Sequence, residues 1–328
     1  MPTPDTAVLA GAVLLALAWD WVWGEPPAVV HPVVVMGFYL GAAGRWAAPL
    51  EGQAHRASAA FARGALGWLW GAGVVVGLGV WCEAWIHPWP ALWQAVVLGL
   101  ALKPLLAWRM LRDEVASVET ALAVSLEEGR QRVARLVSRD VSALTDTQVR
   151  EAAVSTLAEN LNDSVVAPLF WFVVAGLPGA LLYRFANTAD AMWGYPGPRG
   201  GRDWAWAGKW AARVDDALSW LPARLTAALI GLLVFWRQPT KSQPWFRSTP
   251  WRLVAQQARL TPSPNGGWPM GALALGLGIR LGKPGVYDLN SPGRAPGAAD
   301  TLRALQCCGQ VVALLGALAV VVCLGALV

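Results

Sequence analysis

Two acids four residues apart, Glu159 and Asp163, stand in the stretch Ala158-Glu159-Asn160-Leu161-Asn162-Asp163. On an α-helix they share a face, where like charges repel. No neighbour in the sequence neutralises them, whereas a divalent cation would. Mg²⁺ takes one or two protein carboxylates and completes its shell with water and substrate phosphates. Bridging to arginines elsewhere in the fold is the structural alternative. A second polar run, Asn187-Thr188-Ala189-Asp190, follows an apolar stretch, and on a helix Tyr183, Asn187 and Asp190 line one face. Helix capping accounts for one of these residues but not for the face. A third group is Arg213-Val214-Asp215-Asp216 followed by Pro222-Ala223-Arg224. Adjacent acids point in different directions, so one is free for a metal while the other pairs with Arg213 or Lys209. Arg139-Asp140 adds a further cation. Ser263-Pro264-Asn265-Gly266-Gly267 supplies an amide beside two glycines that allow a ligand close to the backbone. His31, before Pro32, is more in keeping with a structural histidine than a catalytic one. The phosphate loop GxxxxGK[ST] and the nucleophile elbow GxSxG are missing, which disfavours familiar nucleotide folds and triad hydrolysis.

The elements that position these groups are apolar. Of 328 residues, 55% are hydrophobic and only 14% charged, against about a quarter in soluble domains. The 21 Trp suit a membrane interface. Stretches 7–23, 61–81, 91–108, 165–186, 225–236 and 309–328 approach the roughly 20 residues a span requires. The first carries Asp20 near its end, a functional candidate by its position. Gly176-Leu177-Pro178-Gly179 divides the fourth into two halves, as in a re-entrant or broken segment. The fifth is short unless it starts near Trp220 and absorbs Pro222. The reading is an all-α polytopic integral membrane protein. It has four to six spanning or re-entrant helices, amphipathic helices and a Pro/Gly-rich loop region, in one domain, 1–328.

Between the spans, 109–137 reads as a charged amphipathic helix, and 262–304 as Pro/Gly-rich chain with little continuous helix. Residues 237–261 carry Arg237, Lys241, Arg247, Arg252 and Arg259 with no acid, which marks that loop as cytoplasmic. The net charge of +5 is the usual excess of cytoplasmic loops or a means of binding anionic small molecules. No aromatic-interleaved basic stripe suggests nucleic acid. The four Cys lack a CxxC and imply neither zinc nor a disulfide framework. The first residues lack a basic n-region, so 7–23 reads as a retained anchor.

In order along the chain, the stretches Gly24-Glu25-Pro26, His31-Pro32-Val33, Arg139-Asp140, Ala158 to Asp163, Ala167-Pro168-Leu169-Phe170, Gly176 to Gly179, Asn187 to Tyr195, Arg213 to Asp216, Pro222-Ala223-Arg224, Ser263 to Gly267 and Gly282 to Tyr287 resemble the CbiB/CobD family of adenosylcobinamide-phosphate synthases. The likeness covers about residues 20 to 290. Each piece is weak alone, and the ordered set is specific. The resemblance implies a carbon–nitrogen ligase that joins adenosylcobyric acid to (R)-1-amino-2-propanol O-2-phosphate, using ATP and Mg²⁺, at the bacterial cytoplasmic membrane with its site facing the cytoplasm. On it, Glu159, Asp163 and Asp190 are expected to meet metal or the substrate amine, and Asp215 or Asp216 to take the ammonium proton. Arg139, Arg213 and Arg224 would hold phosphates, and Asn160, Asn187, Asn265 and His31 would contact substrate. The lipid bilayer, other membrane-bound enzymes of cobalamin assembly and a second copy of the chain are the expected partners. Many relatives carry Glu at Ser155, Gly at Ser164 and Asn at Ser219, and some carry Gly-Asp-Pro for Gly24-Glu25-Pro26. The Ser155 difference puts in doubt a metal site with three acids on that helix. The competing readings are an AmpE-like membrane sensor and a transporter.

Overall fold

The computed structural model describes residues 5–53, 56–237 and 250–326. Its helices are α1 (Thr6–Trp23), α2 (Pro32–Ala47), α3 (Ala57–Ile86), α4 (Ala91–Leu102), α5 (Trp108–Val124), α6 (Leu126–Val133), α7 (Asp146–Leu161), α8 (Ala167–Trp193), α9 (Lys209–Arg237), α10 (Pro250–Ala258), α11 (Gly267–Leu277) and α12 (Ala298–Gly325). Two short antiparallel hairpins complete it: β1 (Pro198–Arg199) with β2 (Arg202–Asp203), and β3 (Leu281–Lys283) with β4 (Tyr287–Leu289).

Among the described residues six helical stretches are long and apolar enough to cross a membrane, and each takes in all or most of one of the six apolar runs read from the sequence. Along α3, Leu66, Trp70, Leu78 and Trp81 are exposed. Such a run of large apolar side chains is accounted for when lipid covers it. The chain is a multi-pass, all-α membrane protein. Two of the stretches, Ala91–Val124 and Asp146–Trp193, have 34 and 48 residues, far more than the roughly 20 that a bilayer core takes up. Their charged portions, including Arg109 to Glu119 and Asp146 to Asp163, therefore extend beyond the apolar ones.

The chain forms two compact units. The first comprises Met1–Ala107, Ala167–Ser219 and Leu318–Val328. In it α1 packs on α4, and α3 on α2 and α8. Gly99 permits the first contact, since a Cβ there would stand 2.9 Å from Ala12 O. Met36, Leu40, Trp68, Phe185 and Trp193 form the core between α2, α3 and α8. As the sequence suggested, α8 is broken: Ala175 and Gly176 leave helical geometry, Gly176 at φ +65°. The second half opens with Leu177, whose N–H donates to Glu83 Oε1 (2.7 Å). Pro178 follows in the first turn, where its missing N–H costs nothing.

The second unit comprises Trp108–Val166 and Trp220–Ala317. Here α7 lies against α5, α6, α11 and the β3–β4 hairpin. A Thr145/Gln148 capping box starts α7. Its Arg150 grips Glu119 of α5 with two nitrogens, Nε at 3.0 Å and Nη2 at 2.8 Å.

Two local expectations change, and one open question closes. The amphipathic stretch 109–137 is two helices, because Ser125 is extended and its hydroxyl caps α6 through Glu128 N–H. Pro222 does not break α9. Its missing N–H leaves Leu218 O without the usual i+4 donor, and Trp171 Nε1–H supplies one (3.0 Å). Residues 262–304 hold more order than their composition implied, with the eleven-residue α11 and the β3–β4 hairpin. Pro269 sits in α11's first turn, where proline is tolerated. The basic residues Lys241 and Arg247 lie outside the described residues.

Candidate active site

In the second unit the α-helical register of α7 ends at Leu161, and Asn162–Val166 form a π-helical turn. Glu159 and Asp163 therefore stand on either side of the junction between the two registers. Such turns widen a helix locally and occur often at functional sites. The turn is locked by Asn162, which is buried. Its Oδ1 accepts from Thr226 Oγ1 (3.1 Å), and its Nδ2 donates to Asp163 Oδ1 (2.8 Å). The predicted Asn160 spends its amide on Thr156 O (3.1 Å).

The Ser263–Gly267 turn closes over Glu159. A Cβ at Gly266 would lie 2.9 Å from Glu159 Oε1, so glycine is what allows the carboxylate to meet backbone. Ser263 Oγ shapes the turn by accepting from the N–H groups of Asn265 and Gly266 (3.2 and 3.1 Å). Two predicted residues meet here: Arg224 Nη1 donates to the buried Asn265 Oδ1 (2.6 Å) and Nη2 to Pro264 O (3.1 Å). The guanidinium also lies over the rings of Trp220 and Trp268, 4.6 and 4.7 Å from their centres. Arg224 thus serves as a clamp on the turn. From the other side comes Tyr287 of β4. Burial raises its phenol above the ordinary range, the charge of Glu159 adds to the rise, and Ser155 and Arg139 oppose it. Glu159, Arg139, Ser155 and Tyr287 accordingly form one electrostatic neighbourhood. At Asp140, the Ser142 N–H (2.9 Å) holds the carboxyl below its usual range.

In the first unit α8 runs unbroken from Leu177, so Tyr183, Asn187 and Asp190 do share a face. Asn187 Nδ2 reaches Asp215 Oδ1 on α9 at 3.5 Å, and Tyr183 OH shares a hydrogen bond with Ser219 Oγ (3.1 Å). Asp190 and Asp216 are half-buried, and Arg213 is exposed. His31 is the N-cap of α2. Val33 N–H donates to its Nδ1 (3.2 Å), so the ring proton is on Nε2 and faces Glu25 Oε2 (3.0 Å). The other Glu25 oxygen accepts from Lys103 Nζ (3.1 Å), which also meets Asp20 (2.9 Å).

Sequence reading passed over Lys103, Glu83, Glu151 and Arg280. For Lys103 and Glu83 a signal existed, a charge at the end of an apolar stretch. The Glu151–Arg280 pair (3.1 Å) joins residues 129 apart and left none.

Among the described residues no three His, Cys, Asp or Glu side chains group as metal ligands. Of the acids expected at a metal, Glu159 and Asp163 belong to the second unit and Asp190 to the first. A pair of carboxylates still suits Mg²⁺ that arrives with nucleotide phosphates, since that ion draws most of its oxygens from water and substrate.

Apolar spans together with a polar constellation at Glu159 define a multi-pass membrane protein that carries a polar cluster beside its spans. The CobD/Cbib protein family matches residues 13–312. The chain is 38% identical over 303 residues to a probable cobalamin biosynthesis protein CobD of Pyrococcus abyssi, covering 91% of each chain. It is 36% identical over 286 residues to the protein so named in Methanothermobacter thermautotrophicus, covering 85% of this chain and 86% of that one. It is also 35% identical over 306 residues to the cobalamin biosynthesis protein CobD of Brucella anthropi, covering 88% and 89%. No solved structure matches it. The chain belongs to the CobD/Cbib family.

Proposed function

We propose that this protein acts in cobalamin biosynthesis as an ATP-dependent ligase, joining adenosylcobyric acid to (R)-1-amino-2-propanol O-2-phosphate. The observation that carries this reading is the meeting of Glu159 with the Gly266 backbone, with Tyr287 and Arg139 in the same electrostatic neighbourhood, in a chain of the CobD/Cbib family whose relatives are named for cobalamin biosynthesis. The family match does not favour the sensor reading.

A carboxylate is a poor acyl donor because its leaving group would be oxide. Attack of a carboxylate oxygen on the γ-phosphorus of ATP expels ADP and gives an acyl phosphate. The neutral amine then attacks the acyl carbon, the C–O bond breaks, and inorganic phosphate leaves. Of the two protons the ammonium sheds, one must go to a base before attack, and phosphate takes the second. Such chemistry asks for positioning and charge neutralisation more than for a protein nucleophile. Mg²⁺, bound with the nucleotide phosphates, supplies part of that neutralisation. In the second unit Glu159 and Asp163 are the carboxylates for it, and Arg139 is the cation for phosphate. The site faces the cytoplasm of a cytoplasmic membrane, a reading supported by the acid-free basic stretch 237–261.

The test is a mass-spectrometric ligation assay on detergent-purified protein. Adenosylcobinamide phosphate should form only with ATP and Mg²⁺ present, and Glu159→Gln should abolish it in a protein that melts normally. No product from wild-type protein, or full activity in Glu159→Gln, would overturn the reading or the assignment respectively.

A further inference from the structure

An open cleft of about 340 Å³ lies between α7 and the β3–β4 hairpin and shares Tyr287 with the site described above. Its polar lining includes Gln148 and Glu151 of α7, Arg280 and Lys283 from the first strand side, and Tyr287 and Asp288 from the second. The hairpin is built to stand there. Lys283-Pro284-Gly285-Val286 form a tight turn closed by Val286 N–H to Lys283 O (2.9 Å), with Pro second and Gly285 third at φ +71°. Gly282 lets the strand sit on Glu151, because a Cβ there would be 3.1 Å from Oε2.

The charges in the cleft are mixed. Glu151 is buried (2% exposed). Its cation, Arg280, is 40% exposed and also lies 3.8 Å from Asp288 Oδ1. Lys283 makes no ion pair among the described residues. On the inner wall, the Tyr287 hydroxyl donates to Met270 Sδ at 3.6 Å, a weak acceptor. Beside it, the buried Ser155 hydroxyl meets the Tyr287 phenol.

We propose that this cleft binds the small zwitterionic substrate, an aminoalkyl phosphate, with its phosphate on Lys283 and Arg280 and its ammonium on Asp288 and Glu151. The inference rests on the ligation reading. Size and charge select this substrate among the three. A corrinoid macrocycle is too large for the cleft, and a nucleoside triphosphate would press a polyanion against two carboxylates. A compact molecule with one anionic and one cationic end meets two cations and two anions. Tyr287 lines the cleft and also faces Glu159, so the bound amine lies one side chain from the acids assigned to the reaction.

Lys283→Gln and Asp288→Asn, on half-buried and exposed hairpin positions respectively, test this in the full-length protein in detergent. The KM for aminopropanol phosphate should rise roughly tenfold or more in each, the loss of one charge-assisted hydrogen bond. The KM values for ATP and adenosylcobyric acid should stay near wild type. An unchanged KM for aminopropanol phosphate, or an equal rise for all three substrates, would overturn the proposal and leave the ligase reading standing. If wild-type protein forms no product, the ligase reading fails separately, and ³¹P line broadening of aminopropanol phosphate decides the cleft. Broadening by wild type that Lys283→Gln removes supports the site; no broadening by wild type, or equal broadening by both, refutes it.

Discussion

Lys103 pairs with Asp20 at 2.9 Å although both side chains are almost wholly enclosed, 3% and 1% exposed. The same ammonium serves Glu25, and Glu25 holds His31 at the cap of α2. One cation thus ties the end of α1, the Gly24-Glu25-Pro26 segment and the start of α2 to the end of α4. Lys103→Met leaves two carboxylates facing each other without it. The expected loss is about 3–5 kcal/mol, as for buried pairs broken on one side, seen as a lower melting temperature in detergent. Adding Asp20→Asn should recover part of the loss. A Lys103→Met protein as stable as wild type would remove this network from the account.

Glu83 should behave as the cap of the second half of α8. Glu83→Ala removes the acceptor for Leu177 N–H and should cost about 0.5–2 kcal/mol. Glu83→Gln, which keeps an oxygen there, should cost less. Gly176→Ala should be the most damaging of the three, because its φ of +65° is strained for alanine and its Cβ would collide with the Glu83 carboxylate. Thermal melts of the three variants give the order directly.

Gly266→Ala places a methyl 2.9 Å from Glu159 Oε1 and must displace either the carboxylate or the turn. Since small misplacements of reacting groups are costly, ligation turnover should fall by roughly tenfold or more, with a smaller change in melting temperature. Wild-type turnover in this variant would argue that the position of Glu159 does not matter.

The phenol of Tyr287 is raised above 10.0, mainly by burial and then by Glu159. Between the unfolded value and the folded one, the native protein holds a proton that the unfolded chain has lost. Stability from this group is therefore constant below about pH 10 and declines as pH climbs from there to the folded value. Phenolate absorbance in the wild type minus that of Tyr287→Phe should show one tyrosine ionising late. A difference curve centred at or below pH 10 would contradict the burial of the phenol.

Much of the architecture was legible in the sequence because it depends on solvent. Runs of about 20 apolar residues have few alternatives to spanning a bilayer, and all six runs found places in spanning helices. The break at Gly176 was equally plain, since Gly-Leu-Pro-Gly cannot continue an α-helix without interruption. Pro222 left the fifth span open between a short helix and one that absorbs it. Whether a proline breaks a helix depends on what satisfies the orphaned carbonyl, and Trp171, 51 residues earlier in the chain, is invisible to local reading. Likewise, α11 hid in a Pro/Gly-rich stretch because its proline falls in the first turn.

For the site, the sequence by itself determined which residues stand as candidates: Glu159, Asp163, Asn187, Asp190, Arg224 and Asn265 all lie in short polar motifs that interrupt apolar chain. Only the tertiary structure decided how they are used. Packing set a π-turn between Glu159 and Asp163, turned Arg224 into a clamp on Asn265, and drew Tyr287 and Arg280 up to α7. Those outcomes depend on contacts between residues 41 to 129 positions apart, and the physical reason they could not be read is that spacing along a chain encodes local geometry, while the partner of a buried charge is chosen by whatever the fold brings within reach.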